Sequence, residues 1–178
     1  VLGTGDIGTE FARRAQAFRP ACITGVRRTV RPSDPAFTSI HAIAELDSVL
    51  PETDLLVMAL PSTAETAGIL SRERIALLPD SAFVVNVGRG TAIDQEALCD
   101  ALNAGQLAGA ALDVVVPEPL PADHPLRRAK NLLLTPHVAG NMTLGYTCDK
   151  SVQMFCDDLE NYAAGRPLAH LVDRKRGY

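Results

Sequence analysis

Short apolar runs that alternate with stretches of helical period constrain this chain to an α/β fold. The runs are Val1-Leu2, Ala21 to Val26, Asp54 to Leu60, Ala82 to Val87, Leu107 to Val114 and Asn131 to Thr135, each short enough for a buried strand. Between them, helical patterns cover about Ile7 to Phe18, Ala42 to Leu50, Ser71 to Leu78 and Asp94 to Ala104. Strands separated by helices need crossover connections, and crossovers make the strands parallel. The expected architecture is therefore a Rossmann-type doubly wound parallel sheet. Asp94 stands where an N-cap is needed and Gly105 where a left-handed C-cap is needed. A last helix is expected over about Thr143 to Ala164, because Val152, Phe155, Leu159 and Tyr162 recur at helical spacing, and Gly165 and Pro167 then end it. Only Val1 and Leu2 precede Gly3, whereas an ordinary strand has about 5 residues, so the sheet is expected to be truncated at its N-terminus.

Composition removes several classes of function. The chain has 178 residues, of which 47% are hydrophobic, and a formal net charge of -4. That suits one domain and carries no broad basic field, so nucleic acid is not expected as a partner. No apolar stretch reaches the roughly 18 residues of a membrane span and no leader precedes the first strand, which points to the cytoplasm and away from membranes. Cys22, Cys99, Cys148 and Cys156 form no C-x-x-C pair and read as small core residues in a reducing compartment. No cluster has the spacing of metal ligands.

Gly3-x-Gly5-x-x-Gly8 lies between the first strand and the first helix, as a dinucleotide turn requires. Gly3 would permit the tight turn, Gly5 the approach of a pyrophosphate, and Gly8 the close packing of helix on strand. The amides of Asp6 and Ile7 would then point at phosphate. A fold that binds NAD usually has an acid about 20 residues beyond this turn to hold the ribose 2′-hydroxyl. Here the second strand ends in Thr24-Gly25-Val26-Arg27-Arg28, with no acid before Asp34. An Arg guanidinium at Arg27 or Arg28 suits a 2′-phosphate instead, so NADP is the expected cofactor and NAD the alternative. The competing reading makes Arg27, Arg28 and Arg31 a solvated basic loop.

Three further segments follow apolar runs: Asn86-Val87-Gly88-Arg89-Gly90, Pro117-Glu118-Pro119 and Thr135-Pro136-His137. Ligands of open α/β sheets bind outside the carboxyl ends of the strands, so Arg89, Glu118 and His137 are expected to converge on one ligand. Reduction of a 2-oxo acid needs such a set: a proton donor for the carbonyl oxygen, a group to orient that donor, and a fixed cation for the carboxylate. His137, Glu118 and Arg89 are assigned those roles in turn. Taken singly, Thr-Pro-His could be a turn, Glu118 an exposed loop carboxylate and Arg89 a helix support. His41, His124 and His170 read as surface or packing residues.

These segments, together with Leu60-Pro61, Thr66, Leu112-Asp113-Val114 and His137-Val138-Ala139-Gly140, make the chain resemble the NAD(P)-binding domain of the D-isomer-specific 2-hydroxyacid dehydrogenases over essentially its whole length. The run from Pro119 to Leu126 is similar to that of glyoxylate and hydroxypyruvate reductases. The resemblance implies that Leu60, Pro61, Thr66, Val87, Gly88, Arg89, His137 and Gly140 line the cofactor and that Asp113 meets the nicotinamide amide. It implies the Glu118–His137 pair, a small 2-oxo or 2-hydroxy acid as substrate, and a homodimer. The same resemblance makes 1–178 a dinucleotide-binding domain whose helix and tail from about residue 143 would pack toward a substrate domain outside this chain. Two alternatives stand beside the enzyme: a dinucleotide-sensing corepressor-like module, and an inactive fragment lacking its substrate domain.

Overall fold

The computed structural model describes residues 1–29, 34–140 and 145–174, and divides into two compact units, Val1–Pro136 and His137–Tyr178. The first unit holds the sheet. Strands β1 (Thr24–Arg27) and β2 (Ser39–Ala42) pair with each other, and β3 (Leu55–Met58), β4 (Phe83–Asn86), β5 (Gly109–Leu112) and β6 (Leu132–Leu134) follow in that order, every ladder parallel. Leu2 joins the two groups by bridging Val26 on one side and Met58 on the other. The spatial order is thus β2, β1, Leu2, β3, β4, β5, β6, the order of a dinucleotide fold with its reversal point at Leu2.

Helix α1 (Asp6–Ala15) follows Leu2 and buries Gly8 and Ala12, and Ala12 clusters with Ile23, Ala36 and Phe37. The larger core lies on the face covered by α3 (Arg72–Ile75) and α4 (Gln95–Ala104), where Ile75, Leu98 and Leu102 pack with Leu56, Met58, Val84, Ala110 and Leu112. On the opposite parity Leu55, Phe83 and Leu133 are exposed and Val85 is half-buried, while Val57 is buried. The doubly wound order stands, but the apolar runs read as buried strands are covered fully on one face only.

Helix α4 begins and ends as its sequence requires. The Asp94 carboxylate accepts the Ala97 N–H at 3.0 Å, and Gly105 takes φ 73 at the C-cap. Other elements depart from expectation. Strand β2 was not foreseen, because Ser39-Ile40-His41-Ala42 has no apolar run and is half-buried throughout. The continuous helix expected from Ala42 to Leu50 is replaced by a 3-10 turn at Ile43–Glu45, the single turn α2 (Leu46–Val49) and a second 3-10 turn at Leu50–Glu52. Leu46 and Leu50, both buried, supply the helical period that a broken helix shares with a continuous one. The helix expected over Ser71 to Leu78 ends at Ile75. Leu77 and Leu78 donate to Arg74 and Ile75 in tightened three-residue turns, as a chain about to meet Pro79 must.

The cysteines also differ. Cys99 is buried on α4, but Cys22, Cys148 and Cys156 are exposed. Helical position does not entail burial. Cys148 and Cys156 lie on α5 (Gly145–Ala163), the helix of the second unit, which has no buried residue. Thr143, its expected start, lies outside the described residues. Beyond Gly165 (φ 66) the tail is tied back by Asp158, whose carboxylate accepts the amides of Ala169 at 2.7 Å and His170 at 3.0 Å. Those bonds, the Ala169 amide first, hold the Asp158 carboxyl below the usual carboxylate range. Among the described residues, no helix is long and apolar enough to cross a membrane.

Gly3 and Gly105 separate two costs of a side chain. Gly105 (φ 73) faces open space, whereas at Gly3 (φ 98) a methyl would lie 2.6 Å from the Ala59 carbonyl oxygen. In urea unfolding, Gly105→Ala is expected to cost about 1–2 kcal/mol, the left-handed backbone alone. Gly3→Ala is expected to cost clearly more, because the β3 backbone must also move. Equal losses would contradict this account of the turn.

Candidate functional site

Because every strand is parallel, all their carboxyl ends lie along one edge of the sheet, and the loops of the first unit leave from it. The first is the glycine turn. Gly3 donates its N–H to Val26 at 2.9 Å and turns the chain, and Gly8 lies directly against the Gly3 carbonyl, so no side chain fits there. Gly5 is the N-cap of α1, exposed, with open space where a Cβ would stand. Helix geometry leaves the first-turn amides, including those of Asp6 and Ile7, without intrahelical acceptors at the positive end of the dipole. Ile7 is exposed, and the buried Thr4 hydroxyl in the same turn has no hydrogen-bond partner. An open backbone cradle with orphan donors fits a dinucleotide pyrophosphate.

Strand β1 ends in half-buried Arg27, followed by exposed Arg28. Arg28 Nη1 meets Glu65 Oε2 at 3.1 Å, and both side chains are exposed. Arg31 lies outside the described residues. The first acid after the strand, Asp34, is engaged away from it, accepting the Ala36 amide at 2.9 Å and Arg13 Nη2 at 2.7 Å. The Ala36 amide first, and then Arg13, hold its carboxyl below the usual range.

After β3, Leu60 is buried and Pro61 half-buried. Thr66 closes the loop that follows: its buried hydroxyl donates to the Pro61 carbonyl at 2.7 Å and accepts the Thr63 N–H at 2.9 Å. Ser62 and Thr91 hydroxyls meet at 3.2 Å and tie this loop to the next. There, Val87 is half-buried and donates its N–H to Met58 at 3.1 Å. Asn86, 1% exposed, accepts the Gly88 N–H at 3.0 Å in an Asx turn and donates to the Arg89 carbonyl at 2.9 Å. Arg89 is exposed, its Nη1 donating to the Gly88 carbonyl at 2.7 Å. The guanidinium is thereby carried by a backbone fixed from the core.

Asp113 follows β5, is 7% exposed, and accepts the Thr135 hydroxyl at 2.6 Å. Its N–H donates to Asn86 and that of Thr135 to Leu112, each at 3.0 Å, so the ends of β4, β5 and β6 are stitched together. Glu118 is exposed and its Oε1 accepts the Val115 N–H at 3.0 Å. Val116 between them is clamped by Gln95, whose side chain donates to its carbonyl at 2.6 Å and accepts its N–H at 2.9 Å. His137 opens the second unit, exposed, with a left-handed backbone at φ 55. That conformation is uncommon outside glycine and is found at functional sites. Gly140 is also exposed in this unit.

The structure therefore sets Gly3 to Gly8, Arg28, Leu60 to Thr66, Arg89, Asp113 and Glu118 along the loops of one unit, and His137 and Gly140 in the other. Asn86 and Thr135 stood in the segments read from the sequence but without a role, and Glu65 and Gln95 were not singled out. Asn86 had a signal, a polar residue ending an apolar strand two positions before a glycine. Gln95 had none, since its partner is distant in sequence. The remaining histidines are occupied: His124 Nδ1 accepts the Leu126 N–H at 3.2 Å, His41 lies 3.6 Å from Glu45, and His170 lies 3.3 Å from Asp158. Among the described residues no group of three His, Cys, Asp or Glu could hold a metal ion.

Glyoxylate/hydroxypyruvate reductase A of Klebsiella pneumoniae (strain 342) is 36% identical over 178 residues, 100% of this chain and 55% of that protein. Glyoxylate/hydroxypyruvate reductase B of Pectobacterium carotovorum is 40% identical over 139 residues, 78% of this chain and 43% of that protein. The chain thus spans about half the length of these curated relatives. Among solved structures, an NADPH-dependent glyoxylate/hydroxypyruvate reductase from Sinorhizobium meliloti, in complex with NADP and sulfate, superposes with a TM-score of 0.87 at 30% identity, over 99% of this chain and 55% of that one. A D-isomer specific 2-hydroxyacid dehydrogenase from Xanthobacter autotrophicus Py2, in complex with NADPH and MES, gives 0.86 at 35% identity, over 99% and 71%. Residues 1–139 match the model of the NAD binding domain of the D-isomer specific 2-hydroxyacid dehydrogenases, and the chain belongs to that family.

Proposed function

We propose that the full-length protein is an NADP(H)-dependent reductase of a short 2-oxo acid, of the glyoxylate or hydroxypyruvate type, and that this chain is its cofactor and catalytic domain. The observation that carries the reading is Arg89, held by buried Asn86 on the same sheet edge as the open glycine cradle. The two reductases named above support the substrate class, and the complexes with NADP and NADPH support the cofactor, with NAD as the alternative.

The cradle of Gly3, Gly5, Asp6, Ile7 and Gly8 would hold the pyrophosphate, and Arg27 and Arg28 the adenosine end. Leu60, Pro61, Thr66, Val87, Gly88 and Gly140 would line its length. Asp113 would meet the nicotinamide amide, with Thr135 fixing its carboxylate. When bound, the cofactor supplies a hydride to the carbonyl carbon. Arg89 takes the substrate carboxylate through its two-pronged guanidinium and polarises the adjacent carbonyl, stabilising the oxyanion as it forms. His137 donates the proton to that oxygen, and takes it back in the reverse direction. Glu118 would accept from the far ring nitrogen and so fix the tautomer. Residues outside this chain complete the substrate pocket. Helix α5, with Val152, Phe155, Leu159 and Tyr162 exposed, supports packing of the helix and tail toward them. From the family resemblance we also take the protein to be a homodimer, and from its four free cysteines to work in the reducing cytoplasm.

In full-length protein, His137→Gln is expected to lower kcat by about 10²- to 10⁴-fold, the usual worth of a positioned acid or base, while NADPH still binds. Turnover at the wild-type rate would remove His137 from the chemistry. Arg89→Lys keeps the charge but loses the fork. It is expected to raise KM for the 2-oxo acid by about ten- to a hundredfold, the worth of one charge-assisted hydrogen bond. An unchanged KM would show that the carboxylate is held elsewhere.

A further inference from the structure

The end of β1 has no acid for a ribose 2′-hydroxyl, and Asp34, the first acid after it, is committed to Arg13 and to the Ala36 amide. The fold nevertheless brings a carboxylate to this end of the site from another loop. Glu65 Oε2 stands 3.1 Å from Arg28 Nη1. Both side chains are exposed, so the pair is open to solvent and to a ligand. Glu65 is not on a loose loop. Thr66, the next residue, is pinned by its bonds to Pro61 and Thr63, and Ser62 is tied to Thr91.

We propose that Glu65 is a specificity-determining residue that sets the balance between NADP(H) and NAD(H) by sharing Arg28 with the bound cofactor. The inference rests on the reading that Arg28 receives the 2′-phosphate. With a phosphate dianion on Arg28, two negative groups face one guanidinium, and the Glu65 carboxylate weakens NADPH by like-charge repulsion. With NADH, the same carboxylate is a hydrogen-bond acceptor within reach of a 2′-hydroxyl, the service that the strand end itself does not provide. Arg28 thus favours the phosphate and Glu65 moderates that preference. The chain is tuned toward NADP(H) without excluding NAD(H).

The test is calorimetric titration of full-length protein with NADPH and with NADH, for wild type, Glu65→Gln and Arg28→Gln, each at low and high salt. Glu65→Gln is expected to tighten NADPH by about two- to fivefold, the scale of one exposed charge pair, while NADH is unchanged or weaker. The gain should shrink at high salt. Arg28→Gln is expected to weaken NADPH selectively. If Glu65→Gln leaves the NADPH-to-NADH ratio unchanged, or lowers it, while Arg28→Gln still loses NADPH selectively, the role of Glu65 is overturned and the phosphate reading of Arg28 stands. If Arg28→Gln costs NADPH no more than NADH, both are overturned.

Discussion

Leu2 is hydrogen-bonded as a central strand on both sides. Its N–H donates to Val57 at 2.7 Å and its carbonyl accepts from Ala59 at 2.9 Å, while Val1 and Gly3 pair with Val26 at 2.8 and 2.9 Å. Without these bonds β1 and β2 would form a sheet separate from β3 to β6. With them, the glycine turn leaves the sheet between β1 and β3, where the strand order reverses and the crevice of a doubly wound fold opens. Gly3 accepts its positive φ at that spot because its two neighbouring strands are already fixed. The cradle at Gly5, the guanidinium of Arg28 and the loop of Thr66 take their places from this one junction.

The loops that carry Arg89, Asp113 and Glu118 are held from behind by polar contacts. Asn86 gives up solvent to bond two backbone groups of the Arg89 loop, Gln95 holds Val116 by both its N–H and its carbonyl, and Thr135 bonds Asp113. Each such bond contributes only about 1 kcal/mol to stability. Their larger effect is to fix the backbone that carries these exposed groups, so that the proposed binding of a carboxylate at Arg89 would cost less ordering entropy.

Much of this was legible in the sequence because it is written in local signals. Alternating apolar runs declared the parallel sheet, Asp94 and Gly105 declared both ends of α4, and the glycine spacing declared the turn. Strand β2 was illegible because its residues are each half-buried and carry no period. The broken segment after Ala42 was misread because Leu46 and Leu50 repeat as they would in a continuous helix. Cys148 and Cys156 were assigned to a core on helical position, yet α5 buries no residue. The site followed the same division. Arg89, Glu118 and His137 stood out as unusual residues after strands, whereas the Arg28–Glu65 and Gln95–Val116 contacts are made only when distant loops are folded onto one edge.

The proposed function has an Arg, a Glu and a His at strand ends act on one small acid beside a dinucleotide. The most direct measurement is a crystal structure of the full-length protein with NADPH and oxamate, an unreactive analogue of a 2-oxo acid. The account predicts the pyrophosphate on the amides of the Gly5 turn and the oxamate carboxylate on Arg89. It also predicts the amide oxygen within hydrogen-bond reach of His137, and Glu118 on the far ring nitrogen. Oxamate bound away from Arg89, or His137 turned from the ligand with Glu118 bonded elsewhere, would contradict it.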